Sequence, residues 1–165
     1  KAVGDFLLPE WQWQGRVRRP PTDPVNAMLS FGYTLLSNEG VSAAELAGLD
    51  PDIGFLHLPH PGRPSLALDL VEEFRALIVD SVVFGLIGRK QVTPSDFETL
   101  DDGACRMSKV SRDAFLGAYE KRMLQLVTYR ETGRRISYRT ALHMQARSLA
   151  RAMNGGDEYL PMLWK

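Results

Sequence analysis

Apolar residues recur at helical spacing along most of the chain. Thr22-Asp23-Pro24 opens the first such stretch, with Asp23 placed to cap a helix and Pro24 to occupy its first position. Val25, Met28, Leu29, Leu35 and Leu36 then form one stripe, with Asn26, Ser30 and Tyr33 as polar punctuation on it. Ser42-Ala43-Ala44-Glu45 is a capping-box pattern and predicts a separate short helix ending by Gly48. Pro61, Gly62 and Pro64 keep the next segment out of helix. A long helix is predicted from Ser65, which would cap it, to about Ile87. Its apolar positions are Leu66, Leu68, Leu70, Val71, Phe74, Leu77, Ile78, Val82 and Leu86, and Gly88-Arg89-Lys90 supplies a stop with a basic end.

The pattern changes between Gln91 and Val110. Thr93-Pro94-Ser95-Asp96 and Asp101-Asp102-Gly103 are turn signals, and the short extended runs beside them predict a small hairpin or irregular excursion over 91–110. Ser111 is expected to cap a further helix with Phe115, Tyr119, Met123, Leu126 and Val127 on one face. Gly133 breaks it, and Ser137 starts a last helix to about Met153, which Gly155-Gly156 ends. The expected fold is mainly α, a helical bundle-like lobe with one excursion. Residues 1–21 read as an N-terminal arm, whose first residues resemble the tail of an upstream helix, and 22–165 as the helical domain.

Composition narrows the classes. A chain of 165 residues is long enough for one domain with a sizeable core. Twenty basic residues balance 20 acidic ones, so no global polyanion-binding signature exists and nucleic-acid contacts must come from local patches. Cys105 is the single cysteine, which excludes an intrachain disulfide and fits a reducing, cytoplasmic setting. No pattern around it suggests a nucleophile, and it reads as a structural thiol. No run approaches the ~20 apolar residues of a membrane span. Repeats, low-complexity segments and a glycine-rich phosphate loop are absent from the sequence.

The chemistry concentrates in GFLHLPHPGRPSLALDLVEEFR, from Gly54 to Arg75. On a helix Asp69 and Glu72 share a face, as do Asp69 and Glu73, whereas Glu72 and Glu73 diverge. His57, on the incoming loop, would fold back over that face. An imidazole nitrogen with one or two carboxylates is a partial site for manganese, magnesium or zinc. The bland reading, a solvated helix face and a hydrogen-bonded loop histidine, stands beside it. Arg63 sits where a guanidinium would hold a phosphate, or is merely solvated. Trp11, Trp13, Arg16, Arg18 and Arg19 in the arm suit a nucleic-acid backbone, or a linker whose tryptophans plug the core. In the last helix, Arg139, Arg147 and Arg151 form a basic stripe that would guide DNA or face water.

The combination of GFLH, a short turn, GRPSLALDLVEEFR and the earlier DPVNAMLSFGYTLL resembles the CRISPR-associated integrase and endonuclease of the spacer-acquisition complex, from about Trp11 to the C-terminus. The resemblance implies that this chain is the α-helical catalytic C-terminal domain, with the family's N-terminal β-domain absent from it. It implies a divalent-metal centre, Mn2+ or Mg2+, to which His57 and Glu72 contribute, with Asp69 an additional acidic position. A third ligand, a glutamate, is expected upstream of residue 1. Arg19, Asn26, Arg63 and Arg147 are the expected DNA contacts, although Asn26 equally suits a buried amide bonded to backbone. The implied activity is insertion of spacer DNA into the CRISPR array by 3′-hydroxyl attack on a phosphodiester. The implied partners are double-stranded DNA, a second copy of the chain and a small ferredoxin-like protein. Two other classes fit the residues: a non-catalytic DNA-binding or scaffold lobe, and a metal-dependent hydrolase of small molecules.

Overall fold

The computed structural model describes residues 9–58 and 60–162. The predicted tail of an upstream helix lies outside the described residues. Among those described, the helices are α1 (Pro24–Leu46), α2 (Ser65–Glu72), α3 (Ser81–Gly88), α4 (Lys109–Met123) and α5 (Tyr138–Met153). Two antiparallel hairpins accompany them, β1 (Phe97–Thr99) with β2 (Cys105–Met107), and β3 (Leu126–Thr128) with β4 (Arg135–Ser137). The fold is mainly α, as the periodicity predicts. No helix among the described residues is long and apolar enough to cross a membrane.

The chain divides into two compact units. One contains the residues up to Tyr33 with Val79–Glu120; the other contains Thr34–Ile78 with the residues from Lys121 onward. In the first, Asp23 caps α1 as expected, its Oδ1 accepting from the Asn26 amide at 2.8 Å. Trp11 is buried edge-on to Phe97, with ring centroids 6.4 Å apart. Phe31 meets Phe115, which stacks on Tyr119. Gly32 makes this packing fit: a Cβ there would lie 2.6 Å from Val79 Cγ1 and 2.7 Å from Phe115 Cζ. The Tyr33 hydroxyl donates to Asp80 Oδ1 at 2.5 Å.

In the second unit α2 packs beside α5, and Phe74, Ile78, Tyr129, Tyr138 and Leu142 are buried. Gly40 of α1 is close to α2, where a Cβ would meet Val71 Cγ1 at 2.6 Å and the Ala67 carbonyl at 3.0 Å.

Four local expectations are corrected. The Ser42–Glu45 capping box opens no helix, because α1 runs uninterrupted to Leu46 and its interior leaves no free amides to cap. Ser65 is the first residue of α2 rather than its cap; the Pro51 carbonyl instead accepts from the amides of Leu66 (2.8 Å) and Ala67 (3.3 Å). At α4 the capping oxygen is Ser108 Oγ, which accepts from the Ser111 amide at 3.2 Å. Leu126 and Val127 leave the helix face and enter β3, paired with Ser137 and Ile136. Ser137 caps α5 as expected, accepting from the Thr140 amide at 3.1 Å.

The long helix predicted over 65–87 is interrupted. It tightens at Phe74, whose amide bonds to the Val71 carbonyl three residues back at 2.9 Å, then widens into a π turn at Ala76–Asp80 before α3 resumes. In the π turn the Leu77 carbonyl accepts from Arg122 Nε at 2.7 Å. Such local changes of helical register expose backbone and re-aim side chains.

Candidate functional site

The site is built on loop residues 54–58 and 60–64 and on α2, all in the second unit. Gly54 lets the loop lie against the helix: a Cβ there would sit 2.7 Å from Ser65 and 2.8 Å from Asp69 Oδ2. Asp69 then gathers the loop. Its Oδ2 accepts from the amides of Phe55 (2.6 Å) and Leu56 (2.9 Å), and its Oδ1 from the His57 amide (3.0 Å). The His57 ring completes the set, with Nδ1 at 2.6 Å from Asp69 Oδ1. Burial raises the Asp69 pKa, but the His57 hydrogen bond and the amides of Leu56, Phe55 and His57 outweigh it, so the carboxyl titrates below its ordinary value.

This geometry fixes the imidazole. Nδ1–H donates to Asp69, so in neutral His57 the lone pair resides on Nε2, and the side chain is a third exposed. A carboxylate behind a histidine in this way orients the ring and raises its basicity toward a metal. Both Asp69 oxygens are therefore engaged by the loop and by His57.

Glu72 closes α2, three residues beyond Asp69 and therefore on its face. Its carboxylate is 38% exposed and paired with Arg75. His57 Nε2 and Glu72 are a borderline nitrogen and a hard oxygen, a pair suited to manganese or magnesium. No cluster of three or more His, Cys, Asp or Glu among the described residues is placed to hold a metal ion. The pair fits a metal as part of its donor set, and a further ligand is needed.

The expected DNA contacts fare differently. Asn26 is corrected: it is fully buried, and its amide is saturated. Its Oδ1 accepts from Arg16 Nη1 (2.8 Å) and the Val17 amide (3.0 Å), while Nδ2 donates to the Gly15 carbonyl (2.9 Å) and Asp23 Oδ2 (2.5 Å). It holds the N-terminal arm onto α1 and has nothing left for DNA. Arg16 is likewise turned inward, to Ser30 Oγ at 3.0 Å and over the Tyr33 ring, while Arg18 and Arg19 are exposed. Arg63 is half-buried and ties the loop shut, its guanidinium on the Leu58 carbonyl and 3.4 Å from Ser65 Oγ. Arg147 is exposed on α5. Its neighbours in the expected stripe are paired, Arg139 with Glu39 at 2.8 Å and Arg151 with Glu131.

Two features escaped the sequence reading. One is the outward rim of the loop, where Phe55, Leu56 and Leu58 are 64%, 78% and 79% exposed; Asp69 holds the backbone amides of Phe55 and Leu56, and Arg63 and Ser65 Oγ hold the Leu58 carbonyl, while the side chains project outward. The other is Glu73, half-buried and hydrogen-bonded to partners from α5 and the C-terminal segment. A carboxylate three after Leu70 and four before Leu77, inside the apolar stripe, is the signal that marks it.

Comparisons with known proteins identify the family. The family model described as CRISPR associated protein Cas1 matches residues 1–121. A protein of Chlorobaculum tepidum named CRISPR-associated endonuclease Cas1 1 is 44% identical over 158 residues, covering 95% of this chain and 46% of the relative. The chain thus spans a little under half the length of such curated relatives. Among solved structures, a casposase bound to integration product superposes with a TM-score of 0.86 at 29% identity, over 94% of this chain and 44% of that one. A chain of a Cas6-RT-Cas1–Cas2 complex gives a TM-score of 0.82 at 26% identity, over 98% of this chain and 18% of that one. With its helical fold, its histidine-bearing loop and a family match over most of its length, the chain belongs to the CRISPR-associated Cas1 family.

Proposed function

We propose that this chain is the catalytic C-terminal region of a metal-dependent DNA endonuclease and integrase of CRISPR adaptation. The carrying observation is the Asp69–His57 pair, whose Nδ1 contact leaves the Nε2 lone pair of neutral His57 for a metal, with Glu72 one turn beyond Asp69 at the end of α2. Mn2+ or Mg2+ held there, with a glutamate from outside these 165 residues, would supply Lewis-acid charge to the scissile phosphate when bound. His57 binds only when neutral, and Asp69 keeps the proton on Nδ1 so that Nε2 faces the site. Glu72 would contribute a carboxylate oxygen, its Oε1 being paired with Arg75. In integration the 3′-hydroxyl of incoming DNA would attack phosphorus; a new phosphodiester forms, the target P–O3′ bond breaks, the attacking hydroxyl's proton passes to solvent, and the released 3′-oxygen takes one up from solvent. In nuclease action water replaces the 3′-hydroxyl.

Arg19, Arg63 and Arg147 are proposed as phosphate contacts. The relatives support the partners: one is a casposase bound to integration product and another belongs to a complex containing Cas2. We infer that double-stranded DNA, a second copy of the chain and a small ferredoxin-like protein assemble around this domain. The absence of a three-residue ligand cluster among the described residues favours a second reading, a lobe that binds DNA without cutting it.

A strand-transfer and cleavage assay with Mn2+, on this chain alone and with upstream sequence restored, separates them. Activity only in the longer protein, lost in His57→Ala and Glu72→Ala with folding intact, supports the catalytic reading. Wild-type rates in Glu72→Ala would remove Glu72 from the site. DNA binding without cleavage in both forms would leave the scaffold reading.

A further inference from the structure

Glu73 follows Glu72 in sequence yet is engaged on a different side of the helix. Its Oε1 accepts from the Tyr159 hydroxyl, and its Oε2 accepts from the Met162 amide at 2.6 Å. Gln145 Nε2, on α5, lies 3.1 Å from Glu73 Oε2, 3.0 Å from Tyr159 Oη and 3.2 Å from the Leu160 carbonyl. Gln145 is 1% exposed, and its Oε1 accepts from the Tyr129 hydroxyl at 2.7 Å. One carboxylate thus ties together the end of α2, the middle of α5 and the C-terminal segment. Burial, then the hydrogen bond to Glu73 and its charge, raise the Tyr159 pKa, so this phenol stays a donor at any working pH.

The anchor coincides with a backbone feature. Glu73 is the C-cap of α2, directly before the tightened bond from the Phe74 amide to the Val71 carbonyl. Glu72 is the last residue in regular α-helical register, so the direction of its side chain depends on how that turn is held. Both Glu73 oxygens are engaged, so Glu73 cannot compete with its neighbour for a cation. This half-buried carboxylate has three donors, and it joins segments 72 and 89 residues apart in sequence.

We propose that Glu73 is a positioning residue for Glu72: by clamping Gln145, Tyr159 and the Met162 amide to the tightened turn, it sets the angle at which Glu72 meets the metal held by His57. The inference rests on the metal-site reading given above. It assigns the C-terminal segment a part in metal affinity, not only in folding.

The test is Mn2+ binding by the whole protein without DNA, followed by the electron paramagnetic resonance of free Mn2+, with thermal unfolding in parallel. Glu73→Ala is expected to raise the Kd for Mn2+ about tenfold or more, the scale on which partners behind a ligand act. Its strand-transfer rate should recover at high Mn2+, because the chemistry itself is untouched. Tyr129→Phe removes a hydroxyl from the far end of the same network; it should lower the Tm while leaving the Mn2+ Kd within about twofold. Glu73→Gln, which keeps an oxygen for the Met162 amide, should restore part of the affinity. Tyr159→Phe, losing a single donor, serves if Glu73→Ala does not fold, and its Kd should also rise.

Unchanged Mn2+ affinity in both Glu73→Ala and Tyr159→Phe would overturn the proposal. So would a shift in Tyr129→Phe equal to theirs. His57→Ala separates the two readings. If it loses Mn2+ affinity while the Glu73 variants do not, only the role of Glu73 falls; if it too binds as wild type, the metal site falls and takes the inference with it.

Discussion

Asp69 concentrates four hydrogen bonds on one small side chain, and each acceptor position is matched to a donor of the loop. Asp69→Asn keeps the shape but turns one acceptor into a donor facing backbone amides. The expected loss is about 1.5–3 kcal/mol, the range for hydrogen bonds to a charged group, measured by urea unfolding. Because the folded pKa of Asp69 lies below its unfolded value, its contribution is fully present above the ordinary aspartate range and disappears as pH falls through the folded value. The amide resonances of Phe55, Leu56 and His57 should therefore move together only in that acid window. A common transition at neutral pH would contradict the assignment. Cys105 gives a second residue-scale expectation. Burial and then the charge of Asp23 push its thiol up to about 11, so it should react with iodoacetamide at pH 8 only after unfolding.

At the scale of elements, α1 shows what the sequence carried openly and what it hid. Its start was legible because Asp23 and Pro24 act locally. Its end was not: Ser42 and Glu45 imitate a new start, but an unbroken helix already satisfies the amides they would cap. The strand at Leu126–Thr128 was hidden for a related reason, since a short apolar run fits both periods and its pairing partner comes from β4. The loop–helix contact around His57 was legible as a type of chemistry, from a histidine and spaced carboxylates. The division of labour was not legible, because which carboxylate points to the loop and which to the C-terminal segment depends on the tightened turn at Phe74. Gly40 tests the packing directly. Gly40→Ala gains helix propensity, yet its Cβ would press on the stiff Val71 and on the Ala67 carbonyl. A net destabilisation of about 1–2 kcal/mol is expected by thermal unfolding, the sign being set by overpacking.

For the whole molecule, electrostatics must be local, because equal numbers of basic and acidic residues cancel globally. Exposed arginines such as Arg19 and Arg147 then matter individually for DNA. Arg147→Ala should reduce the slope of log Kd against log salt by roughly 0.9, the value for one lost phosphate contact, at every DNA sequence tested. A slope equal to wild type would place Arg147 off the DNA path. Asn26 belongs to the opposite category: its substitution should unfasten the arm at Gly15–Val17 without altering that slope.

The outward rim of Phe55, Leu56 and Leu58 carries an evolutionary constraint. A loop stitched to a carboxylate through consecutive amides has its orientation settled before its side chains are chosen, so they project wherever the backbone leaves them. Selection for solubility cannot rotate this loop without also releasing the imidazole. It can act there only by changing the side chains themselves, because the peptide path of Phe55 and Leu56 is the one that Asp69 holds beneath the imidazole.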